Sequence, residues 1–306
     1  MTSIYLITGF LGAGKTTAVN RLSACFKDRK IGVIVNEYGR TGVDSENILS
    51  GQVTEITNGS IFCACRADQF DDALGRMLAL TPDVILVEAS GLSNPASIDA
   101  VLRRRPDNEM FIFRGVVCLI DAPRLHKVID TALVVPKQID AADLLVINKA
   151  DLVSKEDLKT LTADLSRRRP DVPLLTTAFA DIPCEAVCNL KRIRPAGADG
   201  AAHSQDLTLR KALITFQPGT LEPTELKALV AVLAAASWRV KGRVTHPDGR
   251  MTDVDAVGEQ IRFSEADEGR PQNHLIVLWG TGQAAARMLR SLPEQMPAVL
   301  RIDYGS

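Results

Sequence analysis

Gly9-Phe10-Leu11-Gly12-Ala13-Gly14-Lys15-Thr16 is a glycine-rich octet that ends in a lysine and a hydroxyl residue, with Thr17 next. Such a turn leaves backbone N–H groups free to wrap an anion, and a helix starting at its end adds the positive pole of its dipole. A lysine there reaches β- and γ-phosphates, and the hydroxyl after it ligates Mg²⁺. Gly9, Gly12, Ala13, Gly14, Lys15, Thr16 and Thr17 are therefore the candidate phosphate ligands. A plain turn between strand and helix has no need of Lys-Thr at these positions.

About 130 residues further on, an apolar run Leu144–Ile147 leads into Asn148-Lys149-Ala150-Asp151, an N-K-x-D motif. A carboxylate at Asp151 can accept from guanine N1–H and the exocyclic amine, whereas adenine offers no such donor pair. Asn148 supports the loop or contacts the base, and the Lys149 stem packs over the ring. Alone the motif also reads as a helix cap. After a phosphate loop and a strand it points to GTP over ATP.

Two acidic residues fall where strands end. Glu37 lies in Asn36-Glu37-Tyr38-Gly39, and Glu88 opens Glu88-Ala89-Ser90-Gly91-Leu92-Ser93-Asn94-Pro95. Ligands of open parallel sheets sit outside the carboxyl ends of the strands. Glu88 is thus expected to hold the Mg²⁺ shell through water, with the Gly91 amide facing the γ-phosphate. Hydrolysis needs an oriented water and charge stabilisation. Lys15 serves the second, and either Glu37 or Glu88 orients the water. No arginine finger is evident, so slow turnover is expected.

These groups need a scaffold that brings strand ends together. Apolar runs at Ile4–Thr8, Ile31–Asn36, Val84–Glu88, Gly115–Asp121, Leu144–Asn148 and Leu174–Thr176 alternate with helical patterns at Lys15–Phe26, Gln69–Leu80 and Lys155–Arg168. That order predicts an α/β P-loop domain with a mostly parallel sheet over residues 1–190. Residues 191–206 are rich in Gly, Ala and charge and read as a linker. Residues 207–306 read as a smaller α+β domain. Its strands are expected at Leu207–Phe216, Trp238–Thr245, Thr252–Val257, Gln260–Phe263 and Leu275–Trp279, with helices at Glu222–Ala235 and Gly282–Leu292.

A length of 306 residues suffices for two cores without staples. The formal net charge of −1 predicts no general attraction to nucleic acid or anionic membrane. No membrane-length apolar run and no signal peptide is read, so a cytoplasmic location is expected. Cys25 and Cys118 fall in apolar patterns and read as small core residues, with free thiols the expected state. Cys184 and Cys188, four apart, share a helix face and read as core packing. Arg103-Arg104-Arg105 reads as a solvated helix end.

In combination the motifs resemble the CobW-type GTPases, relatives of the nickel-handling UreG and HypB proteins. The residues carrying the resemblance are Ile7–Thr17, Asn36-Glu37-Tyr38-Gly39 with Gly42-Val43-Asp44, Glu88-Ala89-Ser90-Gly91-Leu92, Gln138–Asp151 and Arg239-Val240-Lys241-Gly242. The resemblance implies a GTPase domain followed by a CobW-type C-terminal domain, slow GTP hydrolysis, and a role in metal delivery or cobalamin-related metabolism. One stretch departs from it. Where the family has Gly-Cys-x-Cys-Cys, this chain has Asn58-Gly59-Ser60-Ile61-Phe62-Cys63-Ala64-Cys65, which keeps one cysteine in place and adds Cys65.

The i, i+2 spacing of Cys63 and Cys65 would put both thiols on one side if the loop is extended, where they could bind one ion, and soft thiolates suit Zn²⁺, Co²⁺ or Cu⁺. The resemblance places Glu37 nearby as a third ligand. Three readings follow. The first is a nucleotide-gated metallochaperone for a client metalloenzyme or corrinoid protein. The second is a GTPase that regulates a partner enzyme without carrying metal. The third is a P-loop kinase, which N-K-x-D disfavours. The sequence leaves oligomeric state open, a homodimer included.

Overall fold

The computed structural model describes residues 1–37, 52–57, 67–193, 210–258, 260–266, 272–280 and 283–305. It divides into two compact units, Met1–Asp206 and Leu207–Ser306. The first contains β1 (Thr2–Gly9), α1 (Lys15–Cys25), β2 (Ile31–Glu37), β3 (Gln52–Thr57), α2 (Ala67–Ala79), β4 (Val84–Glu88), α3 (Ile98–Arg103), β5 (Phe111–Asp121), α4 (Leu125–Val128), α5 (Val134–Asp140), β6 (Leu144–Asn148), α6 (Lys155–Arg168), β7 (Leu174–Thr176) and α7 (Cys184–Cys188). Its strands form one seven-stranded sheet in the order β3-β2-β4-β1-β5-β6-β7, with every pairing parallel.

The apolar runs follow from helices covering both faces of this sheet. Side chains alternate across a strand. Tyr5 and Ile7 of β1 accordingly join Val33, Leu86, Val117 and Val146 against Ala18, Val19 and Leu22 of α1 and Val187 of α7. Ile4 and Leu6 face the other way, with Ile34, Ile85 and Val87, onto Phe70, Leu74 and Met77 of α2 and Leu102 of α3. The helical spacing of Phe70, Leu74 and Met77 makes α2 amphipathic. Phe111–Arg114 extend β5 beyond the expected start. The short, polar β3 and the brief α3 and α5 carry too little periodicity to be read beforehand.

Three sequence expectations are corrected here. Cys25 is bonded to Cys184. Helix α7 packs on the C-terminal end of α1, which brings the two thiols together, and Val187 rather than either cysteine is the core residue of α7. Cys188 is free and exposed, while Cys118 is buried as expected, its thiol pushed up to about 12 by desolvation. Arg105 is buried too. It grips Asp107 with two nitrogens and reaches the Asp71 carboxylate and carbonyl. Lys191–Ile193, expected to open a linker, belong to the first unit. Arg192 is clasped by Asp99 of α3 and Asp143, lies over the Phe113 ring, and the Ile193 N–H donates to Asp143.

The second unit contains β8 (Arg210–Phe216), α8 (Pro223–Ala236), β9 (Arg239–Thr245), β10 (Met251–Val257), β11 (Gln260–Glu265), β12 (His274–Trp279), α9 (Gln283–Gln295) and β13 (Val299–Gly305). These strands form a six-stranded antiparallel sheet, β11-β10-β9-β12-β8-β13. Leu226, Leu229 and Leu233 of α8 and Leu289 and Leu292 of α9 pack on it. Strand β13 is the element unread in the sequence. The Arg239-Val240-Lys241-Gly242 stretch lies on β9, where Arg239 pairs with Asp255 across the ladder. Among the described residues, no helix is long and apolar enough to cross a membrane.

The Cys25–Cys184 bond joins residues 159 apart. A loop of that size confines the unfolded chain strongly, so reduction is expected to lower stability by about 2–5 kcal/mol. Urea unfolding with and without dithiothreitol measures this, and coincident midpoints would show that the bond contributes nothing.

Candidate nucleotide site

The parallel register lines up the candidate groups along one sheet edge. Gly9 stands beside Leu119, Glu88 lies between Ile7 and Val35, and Asp121 is opposite Asn148. The glycine loop Gly9–Gly14 leaves β1 at this edge and turns directly into α1. Gly14 is left-handed, at φ 97, and a side chain there would meet the Asn148 amide nitrogen at 2.5 Å.

Lys15 is buried, and its ammonium donates to the Phe10 carbonyl at 3.1 Å. The Thr16 hydroxyl donates to Glu88 Oε1 at 2.9 Å. A hydroxyl and a carboxylate oxygen side by side at the mouth of the loop form a donor set suited to a hard cation such as Mg²⁺. The turn after β4 closes on itself, Ser93 N–H donating to the Ser90 carbonyl. Gly91 in that turn lies against the glycine loop. A Cβ at Gly91 would stand 2.7 Å from the Leu11 nitrogen, so only glycine permits this approach. Thr17 is exposed on α1.

Asn148 is 2% exposed and its carboxamide is used at both ends. The nitrogen donates to the Ala13 carbonyl and the oxygen accepts from the Ala180 N–H, each at 2.8 Å. Its supporting role is thus plain. Lys149 is left-handed at φ 60, and its ammonium pairs with Asp121 at 2.9 Å. The Ala150 N–H donates to the Thr177 carbonyl, which seats the segment bearing the exposed Asp151 beside Thr177–Ala180. In that segment Phe179 is left-handed and 68% exposed.

The structure therefore brings together Gly9, Gly12, Ala13, Gly14, Lys15, Thr16, Glu88, Gly91, Asn148, Lys149 and Asp151 around one sheet edge. Glu37 ends β2 at that edge, paired in register with Thr57. Cys63 and Cys65 lie outside the described residues. Among the described residues no three His, Cys, Asp or Glu side chains cluster to hold a metal ion.

Three residues of the site went unread in the sequence. Asp121 ends β5 as Glu88 ends β4, and that repeated pattern of a strand closing on a carboxylate was the available signal. Arg124 donates to the Leu11 carbonyl, its pKa lowered by burial against the opposing pull of Asp121. Gln138 on α5 donates to the carbonyls of Gly91 and Ser93. Its signal was a polar residue inside an apolar stretch.

Residues 3–176 match the family described as CobW/HypB/UreG, nucleotide-binding domain. The zinc chaperone CobW of Sinorhizobium sp is 32% identical over 206 residues, 56% of this chain and 58% of that protein. The zinc chaperone YjiA of Escherichia coli K12 is 29% identical over 189 residues, 59% of this chain and 58% of that protein. The match thus spans less than two thirds of these relatives. The crystal structure of Zn(II)-bound YjiA GTPase from E. coli is similar at a TM-score of 0.49 and 18% identity, covering 94% of this chain and 98% of that one. The match over residues 3–176, together with the phosphate loop and N-K-x-D segment it contains, makes this chain a member of the CobW/HypB/UreG family.

Proposed function

We propose that the first unit binds GTP with Mg²⁺ and hydrolyses it slowly. We further propose that turnover is coupled to handling a transition metal, Zn²⁺ or Co²⁺, for a client metalloenzyme or corrinoid protein. The nucleotide part is carried by one observation. A single buried carboxamide, Asn148, is bonded to the loop suited to phosphates and to the loop beside Asp151. That coupling suits a ligand with a triphosphate at one end and a guanine at the other.

In this reading Lys15 exchanges the Phe10 carbonyl for β- and γ-phosphate oxygens, and the loop N–H groups hold the remaining charge. Thr16 would ligate Mg²⁺ and Glu88 would hold its water shell. When bound, that ion neutralises charge on the phosphates. The Gly91 N–H faces the terminal phosphate, and Glu37 or Glu88 orients the attacking water. Asp151 accepts from the guanine edge, while Lys149, seated on Asp121, presents its stem to the ring. The formal net charge of −1 gives no general attraction to nucleic acid or an anionic membrane.

The metal is cargo in this scheme. Cys63, Cys65 and Glu37 are its proposed ligands, released when the γ-phosphate leaves, in the manner of nucleotide switches. The names of the relatives CobW and YjiA, both zinc chaperones, support this part. A second reading, regulation of a partner enzyme without metal transfer, is favoured by Ser60 and Phe62 at positions where the resemblance has cysteines.

Lys15→Ala is expected to abolish GTP binding or turnover, as followed by calorimetry and phosphate release. Asp151→Asn is expected to reduce the preference for GTP over ATP roughly ten- to hundredfold, the worth of hydrogen bonds to a charged group. Wild-type behaviour in either variant would remove the assigned role. For the cargo, Zn²⁺ and Co²⁺ affinities are to be compared with and without a non-hydrolysable GTP analogue. The expected result is a nucleotide-dependent affinity that a Cys63→Ser/Cys65→Ser double variant loses. Equal affinity in both states would eliminate gating.

A further inference from the structure

Gln138 is a polar side chain where its neighbours on α5, Val134, Val135 and Ile139, are core. It is 1% exposed. A carboxamide buried that far is stable only when bonded. Its Nε2 donates to the carbonyls of Gly91 and Ser93, at 3.1 Å each. Those two carbonyls flank Leu92 in the turn that follows β4.

The turn is held at three points. Just before it, at the end of β4, Glu88 accepts from Thr16, next to the end of the glycine loop. At its middle Gly91 abuts Leu11 with no room for a side chain. From behind, Gln138 fixes the peptide plane that follows the Gly91 N–H. Fixing the Gly91 carbonyl restricts rotation of the residue whose N–H is assigned to the terminal phosphate. Catalytic donors of this kind act by being pre-set at the place where charge develops, and a displacement of one ångström is costly.

We propose that Gln138 is a positioning residue for GTP hydrolysis, its carboxamide holding the Ser90–Ser93 turn against the glycine loop so that the Gly91 N–H meets the γ-phosphate. The inference rests on the nucleotide reading above. Gln138 touches no part of the nucleotide and acts through Gly91. It also gives the turn a direct link to α5, the helix that leads into β6 and the N-K-x-D segment.

Gln138→Leu keeps most of the side-chain volume and removes both hydrogen bonds. Its kcat is expected to fall about ten- to hundredfold, with affinity for a non-hydrolysable GTP analogue reduced and affinity for GDP unchanged. GDP has no γ-phosphate for the turn to meet, so a purely structural role would weaken both nucleotides together and lower the melting temperature. That pattern, or a kcat within twofold of wild type, overturns the proposal. Gln138→Glu serves if the leucine variant does not fold. A buried carboxyl facing two carbonyls donates only when protonated, so turnover of this variant, relative to wild type, should recover as pH is lowered. A ratio flat with pH counts against the role. Wild-type protein that takes up no guanine nucleotide would remove the nucleotide reading itself, an outcome separable from a silent Gln138 variant in an active enzyme.

Discussion

The two hydrogen bonds of Asn148 are the constraint on which the nucleotide site depends. The glycine loop leaves β1 and the Thr177–Ala180 segment follows β7, with the two strands β5 and β6 between them. No backbone ladder connects these loops. A side chain at the end of β6 does so, bonded to Ala13 on one side and Ala180 on the other. Its position requires that Gly14 carry no side chain. The glycine is therefore needed for the asparagine as well as for the turn.

Around that bridge, charged and hydroxyl groups are already committed to protein partners. Lys15 rests on the Phe10 carbonyl, Lys149 on Asp121, Arg124 on the Leu11 carbonyl, and Thr16 on Glu88. The contacts of Lys15, Thr16 and Lys149 hold a long or rotatable side chain near the place where a phosphate, a cation or a base would require it. Part of the ordering entropy of binding is thus met in the fold itself. Electrostatics and topology act together here, because a parallel sheet with its strand ends at one edge is what sets these groups side by side.

Much of this was legible in the sequence, for reasons that differ from residue to residue. The glycine loop and the N-K-x-D segment have fixed spacing and a strand before each, so their place at a sheet edge could be read. Strands β4 and β6 were legible in full because helix-covered strands are unbroken apolar runs. Gln138 and Asp121 were not, since their meaning depends on partners far along the chain. The Cys25–Cys184 bond was hidden for the same reason: the packing of a five-residue helix on α1 brings the thiols together, and no periodicity announces it. Arg105 was read as solvated and Arg192 as part of a linker because a basic run next to polar residues looks the same whether or not aspartates close around it.

The cross-link between α1 and α7 changes what a backbone cut does to this molecule. Cys25 lies one helix after the phosphate loop, and Cys184 comes shortly after the segment beside Asp151. A nick anywhere from 26 to 183 divides the polypeptide into two fragments that still migrate as one species until a reductant is added. The phosphate loop travels with the N-terminal fragment, yet it stays covalently tethered to the fragment that carries the second unit.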